Sequence, residues 1–320
     1  MRQVTLGRTQ ARISVIALGT WSFGGPSING GVPVGWADQS ESDSRRALIR
    51  AWELGIHHWD TADVYGRGWA EIVIGKVWDT VPRDSIFLAT KVGWDKGSYS
   101  HYYHPDLMRQ HLEQSLQNLR TDVIDIYYFH HCRFGKSGEY FDSAMDVMLQ
   151  AQQEGKIRFI GLSDWDMNKI MVYAPRVDPD VIQPYRNVMD DAYESSGLKK
   201  WVEDHNVGVA FFSPLKHGLL TGKYTKPAEF PQGDFRSNVD EFADAGVIKK
   251  IQKNRDALVA RFRDHPEPVL HGLLDSLLAD APTGCVLLGQ RNPGQVESAA
   301  KVGTAMDPDD VEWVRSLYRG

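Results

Sequence analysis

Cysteine is scarce in this chain, and so are long apolar runs and dense clusters of basic residues. The two cysteines, Cys132 and Cys285, are too few for a disulfide scaffold or a four-thiolate metal site. No apolar run reaches the roughly 18 residues that a membrane-spanning helix needs. Arg8, Gln10 and Arg12 interrupt the N-terminal apolar residues, which argues against a signal peptide. The formal net charge of -6, without a Lys- or Arg-rich run, argues against nucleic acid as a partner. We therefore expect a cytoplasmic protein that neither crosses a membrane nor binds nucleic acid.

Eight short, β-rich apolar runs recur along the 320 residues, and each is followed by a segment with helical spacing. Such alternation of strand and helix is the pattern of a parallel sheet with crossover helices. Eight units in a chain of this length predict one (β/α)₈ TIM barrel over residues 1–320 rather than two open-sheet domains. The runs cover 15–19, 57–61, 86–91, 123–130, 157–163, 181–185, 208–213 and 285–289.

Three further segments carry local signals. Residues 3–14 alternate apolar and polar positions on either side of Gly7, which predicts an N-terminal β-hairpin that caps the bottom of the barrel. The loop 227–238 is broken by Pro and Gly and is long enough to be functional. The segment 104–119 has the spacing of an amphipathic helix. Its predicted buried stripe consists of Leu107, His111, Leu112, Leu116 and Leu119.

Polar side chains stand at or just beyond the ends of the eight runs. Catalytic groups of TIM barrels lie at the C-terminal ends of the strands, so these side chains are expected to surround one mouth of the barrel. They are Trp21, Asp60, Lys91, His130, Ser163 with Asp164, Gln183, Ser213, and Gly289 with Arg291.

Two of these positions, together with a tyrosine in a neighbouring loop, suggest proton-transfer chemistry. Lys91 ends an apolar run, where a charge is costly to bury alone, and Asp60 on the preceding run is its natural partner. By itself the pair is equally well explained as a stabilising ion pair. Tyr65 lies in the loop after Asp60, and a neighbouring lysine cation would lower the pKa of its phenol towards a useful range. An exposed loop aromatic is the alternative for Tyr65.

Histidines raise two questions that the spacing alone leaves open. His130 and His131 are adjacent in a strand, so only one can face the barrel axis, and a strand-end histidine is often structural. The histidine pairs at 57/58 and 101/104 suggest a metal, but neither ends a strand with a third ligand at a recognisable spacing. We therefore predict no metal site and disfavour a metal-dependent barrel hydrolase.

Seven segments, in order along nearly the whole chain, resemble the successive motifs of the aldo-keto reductases. They are LGTW (18–21), WDTADVYG (59–66), ATKVG (89–93), IDIYYFHH (124–131), EGKIRFIGLSDW (154–165), FFSPLKHGLLTGKY (211–224) and LLGQRNPGQVE (287–297). The resemblance implies a barrel that binds a nicotinamide dinucleotide without a Rossmann fold. It also implies a catalytic tetrad of Asp60, Tyr65, Lys91 and His130, in which the family's histidine aligns with His130 rather than His131. Tyr65 would protonate the alkoxide formed by hydride transfer, and His130 would orient the carbonyl.

The same resemblance implies a cofactor site. Ser163, Asp164 and Gln183 would hold the nicotinamide carboxamide, although Asp164 replaces an asparagine and cannot donate to the amide oxygen. Phe212 would cover the nicotinamide face. The cofactor contacts implied in full are Thr20, Trp21, Asp60, Ser163, Asp164, Gln183, Phe212, Ser213, Pro214, Leu215, Gly218, Lys223, Arg236, Gly289, Arg291 and Gln295.

The adenosine end departs from the family pattern. Gly289, Arg291 and Gln295 are retained, but Ser298 and Ala299 stand where the family has a Glu-Asn pair that reads the adenine amine. Arg291 would pair with a 2′-phosphate, which favours NADP(H). The altered adenine end keeps NAD(H) open as the cofactor.

Aromatic residues are expected to line the substrate mouth, and Trp21, Trp36, Trp94 and Phe134 are the ones we select. Such a lining suits sugars or flat carbonyl compounds. We therefore expect an NADP(H)-dependent enzyme that reduces aldehydes or ketones. The alternatives are an NAD-dependent aldose or sugar dehydrogenase and a nucleotide-sensing regulatory subunit resembling the potassium-channel beta subunits. The sensor is disfavoured because His130 is present, whereas those subunits depart from the tetrad there. A monomer and a homo-oligomer both fit the sequence.

Overall fold

The computed structural model describes residues 1–319, and its centre is a closed barrel of eight parallel strands. The strands of the chain are β1 (Gln3–Thr5), β2 (Arg12–Ser14), β3 (Ile16–Gly19), β4 (Ile28–Asn29), β5 (Val32–Pro33), β6 (His58–Asp60), β7 (Phe87–Val92), β8 (Ile124–Phe129), β9 (Ile157–Asp164), β10 (Val181–Pro184), β11 (Gly208–Phe211) and β12 (Gly284–Gly289). The barrel runs in the order β3, β6, β7, β8, β9, β10, β11, β12, and β12 pairs with β3. Each predicted run contains one of these strands or most of it, so the TIM-barrel prediction is confirmed.

Helices fill the connections between the barrel strands. They are α1 (Glu41–Glu53), α2 (Trp69–Gly75), α3 (Pro105–Leu119), α4 (Phe141–Gln153), α5 (Met167–Val177), α6 (Ala192–Ser195), α7 (Leu198–Asp204), α8 (Ala245–Arg261), α9 (Pro268–Leu270), α10 (Ser276–Leu278), α11 (Pro293–Ala299) and α12 (Pro308–Arg319). A π-helical segment, His271–Asp275, joins α9 to α10. Within residues 1–319, no helix has both the length and the apolar composition that a bilayer crossing requires.

The N-terminal hairpin closes the bottom of the barrel, as predicted. β1 and β2 pair antiparallel, and Leu6, between them, is fully buried among the apolar residues of the barrel interior. Gly7 follows with φ +45°, and a Cβ there would lie 2.2 Å from the backbone nitrogen of Gly208. Only glycine fits so close an approach in a left-handed conformation, so Gly7 lets the hairpin seat Leu6 against the strands.

Strand alternation decides which side chains enter the barrel. On β7, Ala89 faces the interior, whereas Leu88 and Val92 pack outside against the helices. Lys91, two residues after Ala89, therefore points inwards, and Thr90 points out towards α2. On β8, Tyr128 faces the interior by the same alternation. The two-residue period thus places charged groups directly above the apolar floor of the barrel.

Candidate active site

A cavity of about 1350 Å³ opens at the C-terminal ends of the barrel strands. Residues that end seven strands or follow them directly line it: Thr20, Asp60, His130, Ser163, Gln183, Phe212 and Gly289. A pocket for a drug-sized ligand measures about 300–1,000 Å³, so this cavity has room for a larger ligand or for two ligands together.

Asp60 and Lys91 form a buried ion pair at the base of the cavity. Lys91 Nζ lies 2.5 Å from Asp60 Oδ1, and their side chains are only 1% and 5% exposed. Lys91 Nζ also donates to the carbonyl of Thr61, and Asp60 Oδ2 accepts from Gln183 Nε2 at 2.9 Å. Burial opposes the charge of Lys91, but Asp60 and Tyr65 outweigh it and raise the pKa of the ammonium group. Lys91 therefore stays a cation at neutral pH.

Tyr65 stands over this ion pair and faces the cavity. Its hydroxyl lies 3.5 Å from Lys91 Nζ, and its ring stacks on Trp21 with centroids 6.0 Å apart. Burial raises the pKa of the Tyr65 phenol, although Lys91 acts in the opposite direction. This corrects the expectation that the lysine would bring the pKa below its ordinary value. The phenol is fully protonated at neutral pH, the state that a proton donor needs.

His130, and not His131, lines the cavity. The His130 ring meets the Tyr65 ring edge to face at 5.9 Å, and its Nδ1 is buried without a hydrogen-bond partner among residues 1–319. Burial, Lys91 and His131 hold the pKa of His130 well below its usual range, so the imidazole is neutral. His131 points away from the cavity and binds the carbonyl of Gly93 through Nε2, and burial lowers its pKa to about 3. Alternation along β8 thus separates the two rings.

The cavity wall gathers every expected cofactor residue except Asp164. Asp164 is buried, and its carboxylate accepts from the backbone N–H groups of Cys132 (2.8 Å) and Asp166 (2.9 Å). It does not line the cavity, and its expected contact with the nicotinamide stays a prediction. An ionised carboxylate offers only acceptors, which suits these two donors. Asp164 therefore closes the loop after β8 onto the end of β9.

Two arginines on the wall already have protein partners. Arg236 binds Asp234 through Nε at 2.8 Å and Nη2 at 2.6 Å, and its guanidinium lies 4.8 Å from the centroid of Trp36. Arg291 donates through Nη2 to the carbonyls of Ala37 and Asp38, both at 2.6 Å. Burial lowers the pKa of Arg291, and the positive charge of Arg236 adds to that effect. Arg236 is thus ion-paired with a carboxylate, whereas these contacts of Arg291 are to neutral carbonyl oxygens.

Aromatic side chains line the upper part of the cavity, including Trp21, Trp36 and Trp94 as expected. Phe134 does not belong to them, because it is fully buried and stacks on Tyr103 with centroids 4.8 Å apart. The expectation for Phe134 is therefore corrected. Sequence reasoning also missed lining residues. They are Trp165, His217 and Phe235 near the tryptophans, and Glu267, Val269 and Leu270 opposite α11.

A polar recess behind the Tyr65 loop was not anticipated either. Asp63, Glu71 and His111 line it, and His111 Nδ1 lies 2.6 Å from Asp63 Oδ2. His111 was expected in the apolar stripe of α3, where helical spacing signals burial but does not name the partner. Burial raises the pKa of Glu71 to about 7.

One group of side chains within residues 1–319 could hold a metal ion, and it consists of His265, His271 and Asp275. The two imidazoles stack with centroids 4.2 Å apart and planes 13° apart, and Asp275 is bonded to His271 and to Thr304. Ring nitrogens bind a metal in the plane of the ring, so stacked rings do not direct their lone pairs at one point. None of the three residues lines the cavity at the barrel mouth, and the group was not selected from the sequence.

A TIM barrel whose mouth brings an ion-paired lysine, a protonated tyrosine and a neutral histidine to a large cavity defines an oxidoreductase that acts on carbonyl groups. Residues 15–319 match the model of the Aldo/keto reductase family. The chain belongs to the aldo/keto reductase family.

Three relatives illustrate the similarity. The aldo-keto reductase yakc of Schizosaccharomyces pombe, whose name specifies NADP(+), is 34% identical over 225 residues, which are 68% of this chain and 65% of that protein. The NADH-specific methylglyoxal reductase of Escherichia coli is 29% identical over 99% of this chain and 98% of its own length. The structure of a glycerol dehydrogenase from Gluconobacter oxydans superposes with a TM-score of 0.81 at 26% identity, covering 98% of this chain and 94% of that one.

Proposed function

We propose that this protein reduces aldehydes or ketones to alcohols with NADP(H), and that Tyr65 is the general acid. The observation that carries the proposal is the Tyr65 hydroxyl, 3.5 Å from the Lys91 ammonium and facing the cavity beside His130. A protonated phenol next to a fixed cation can give its proton to an alkoxide, and the cation then stabilises the phenolate.

The wall fits a nicotinamide dinucleotide. Phe212 offers an aromatic face, Ser163 and Gln183 offer polar groups beside Asp60, and Lys223, Arg236 and Arg291 supply positive charge. When bound, the reduced nicotinamide would supply the hydride for the carbonyl carbon. Side chains of the protein would orient the carbonyl group and supply the proton. His130, neutral, donates a hydrogen bond to the carbonyl oxygen, Tyr65 protonates that oxygen, and Asp60 keeps Lys91 in place.

We favour NADP(H) over NAD(H) because Arg291 lines the cavity and its guanidinium bonds to neutral oxygens of Gln39, Ala37 and Asp38, so that its positive charge is available to a 2′-phosphate. The names of the relatives divide between NADP(+) and NADH. Fluorescence titration with NADPH and NADH tests the choice. We expect NADPH to bind more tightly and Arg291→Ala to weaken NADPH at least about tenfold while changing NADH little. Equal affinities in the unaltered protein would refute the preference, and binding of neither nucleotide would refute the function.

We expect the substrate to be a small or flat carbonyl compound, because Trp21, Trp36 and Trp94 line the upper cavity. Steady-state assays on a panel of aldehydes, ketones and aldoses, in both reaction directions, test this and the sugar-dehydrogenase alternative together. Faster oxidation of an aldose with NAD than reduction of any carbonyl would support the alternative. We also infer a cytoplasmic location, because both cysteines are buried and unpaired, as reducing compartments favour. Cell fractionation tests it.

A further inference from the structure

Two residues with buried carboxyl groups, Asp63 and Glu71, hold the loop that carries Tyr65 from outside the barrel. Asp63 precedes Tyr65, and its backbone N–H donates to the carbonyl of Lys91 at 3.2 Å. Glu71 follows the loop on α2, and its Oε1 accepts from Thr90 Oγ1 at 2.7 Å. Each carboxyl-bearing residue is thus tied to Lys91 or to its direct neighbour on β7. The two ties fix the loop against the strand that supplies the lysine.

Both carboxyl groups also reach α3, which forms the outer wall of the recess. His111 Nδ1 binds Asp63 Oδ2 at 2.6 Å, and Asn118 Nδ2 donates to Glu71 Oε2 at 3.0 Å. Gly68 has φ +87°, and a Cβ there would lie 2.7 Å from Asn118 Nδ2. The loop therefore rests directly on α3, and a side chain at Gly68 would lift it away.

His111 supplies the positive charge in the contact between α3 and the Tyr65 loop. The charged groups that act on it are Asp63 from the loop, Glu71 from α2 and Asp95 from the segment after β7. Burial disfavours its charge, but Asp63 outweighs burial and raises the pKa of His111. The Asp63 side chain is only 8% exposed, and its Oδ1 has no hydrogen-bond partner among residues 1–319. Without the imidazolium, the buried Asp63 carboxyl group would have no positive charge beside it from His111.

We propose that His111 is a positioning residue for Tyr65, acting through its ion pair with Asp63, which holds the Tyr65 hydroxyl at its distance from Lys91. This inference rests on the proposed role of Tyr65. His111 lines the same cavity as Tyr65 and His130, but its ring bonds to Asp63 rather than to either of them, so its effect passes through the backbone of the loop. A displacement of the acid by about 1 Å can cost on the order of a hundredfold in rate.

The test compares His111→Leu, which removes both charge and hydrogen bond, with His111→Gln, which keeps a donor for Asp63. The matched control is His205→Leu, because His205 is an exposed helix-end histidine bonded to the carbonyl of Trp201. We expect His111→Leu to lower kcat about 10- to 100-fold with a change below about twofold in the Kd of NADPH. His111→Gln should recover most of the kcat at neutral pH, and the control should match the unaltered enzyme.

The pH profile of kcat separates positioning from a merely structural role. The His111–Asp63 pair is fully charged between the pKa of Asp63, which burial raises, and that of His111, and it weakens as the pH rises through the pKa of His111. The unaltered enzyme should therefore show a fall in kcat through the pKa of His111, at lower pH than the fall caused by loss of the Tyr65 proton, and His111→Gln should show only the latter. If His111→Leu does not fold, this comparison still decides the matter.

Three results would overturn the inference: an unchanged kcat in His111→Leu, an equal loss of NADPH affinity and kcat, or an identical pH profile in His111→Gln. Tyr65→Phe distinguishes this failure from failure of the proposed function. An inactive Tyr65→Phe beside a fully active His111→Leu would reject only the role of His111. A fully active Tyr65→Phe would reject the acid itself.

Discussion

Replacing Lys91 by Met should show how much the stability of the protein depends on the ion pair between Lys91 and Asp60. Methionine keeps the apolar stem and removes the ammonium group, so Asp60 loses its cation while its side chain remains 5% exposed. Breaking a buried pair from one side costs about 3–5 kcal/mol, because an uncompensated charge is left behind. We expect the free energy of unfolding to fall by an amount in this range near neutral pH.

The loss should depend on pH, with a sign that follows from Asp60. Without Lys91, the Asp60 carboxylate has no cation to offset the cost of burying its charge. That cost applies only while the carboxylate is ionised, so the destabilisation should be small in acid and larger near neutral pH. In the unaltered protein the raised pKa of Lys91 keeps the pair intact across this range.

Urea unfolding of Lys91→Met at pH 5 and pH 8 measures the effect, with Asp60→Asn/Lys91→Met as the compensating variant. The double variant should lose less than the sum of its single changes, because no isolated charge remains. Lys200→Met is the control, since it breaks an exposed pair with Asp204 and should leave the unfolding midpoint nearly unchanged. Equal losses at both pH values, or additive losses in the double variant, would refute the reasoning.

Three other perturbations address separate parts of the molecule. Tyr65→Phe should lower kcat by about 10²- to 10⁴-fold with nearly unchanged NADPH binding, measured by steady-state kinetics and fluorescence titration; a normal kcat would mean that another group is the acid. Leu6→Ala should destabilise the protein by about 2–5 kcal/mol by leaving a void under the barrel, with kcat unchanged, and a stable variant would show that the floor collapses to fill the space. A metal chelator should leave turnover unaltered, whereas inactivation that added metal reverses would assign a role to a bound ion.

The barrel and the residues of its mouth were predictable because strand periodicity carries the needed information. One residue in two faces the interior, so the position of Lys91 after Ala89 follows from counting along β7. The same counting excludes His131 once His130 is placed on the inner side. Side-chain direction on a strand is a local property, so it can be inferred without knowing the rest of the fold.

The sequence could not supply what tertiary contacts decide. Phe134 is aromatic and follows a barrel strand, but it packs against Tyr103 in the core, so its expected place in the substrate lining was wrong. Asp164 accepts from two backbone N–H groups, which come from its own segment and from the loop after β8. His111 occupies a half-buried helical position, and only the folded chain brings Asp63 to it. In each case the partner is distant or unmarked in sequence, so the residue type alone could not identify it.

Leu6 and Gly7 have a consequence for how molecules enter and leave. Because the hairpin seals one end of the barrel, the mouth is the entrance that the residues of the cavity base share with solvent. Any ligand that contacts Asp60 or His130 must therefore enter and leave on that side. The closed floor thus gives the loops around the mouth control over access to the cavity base.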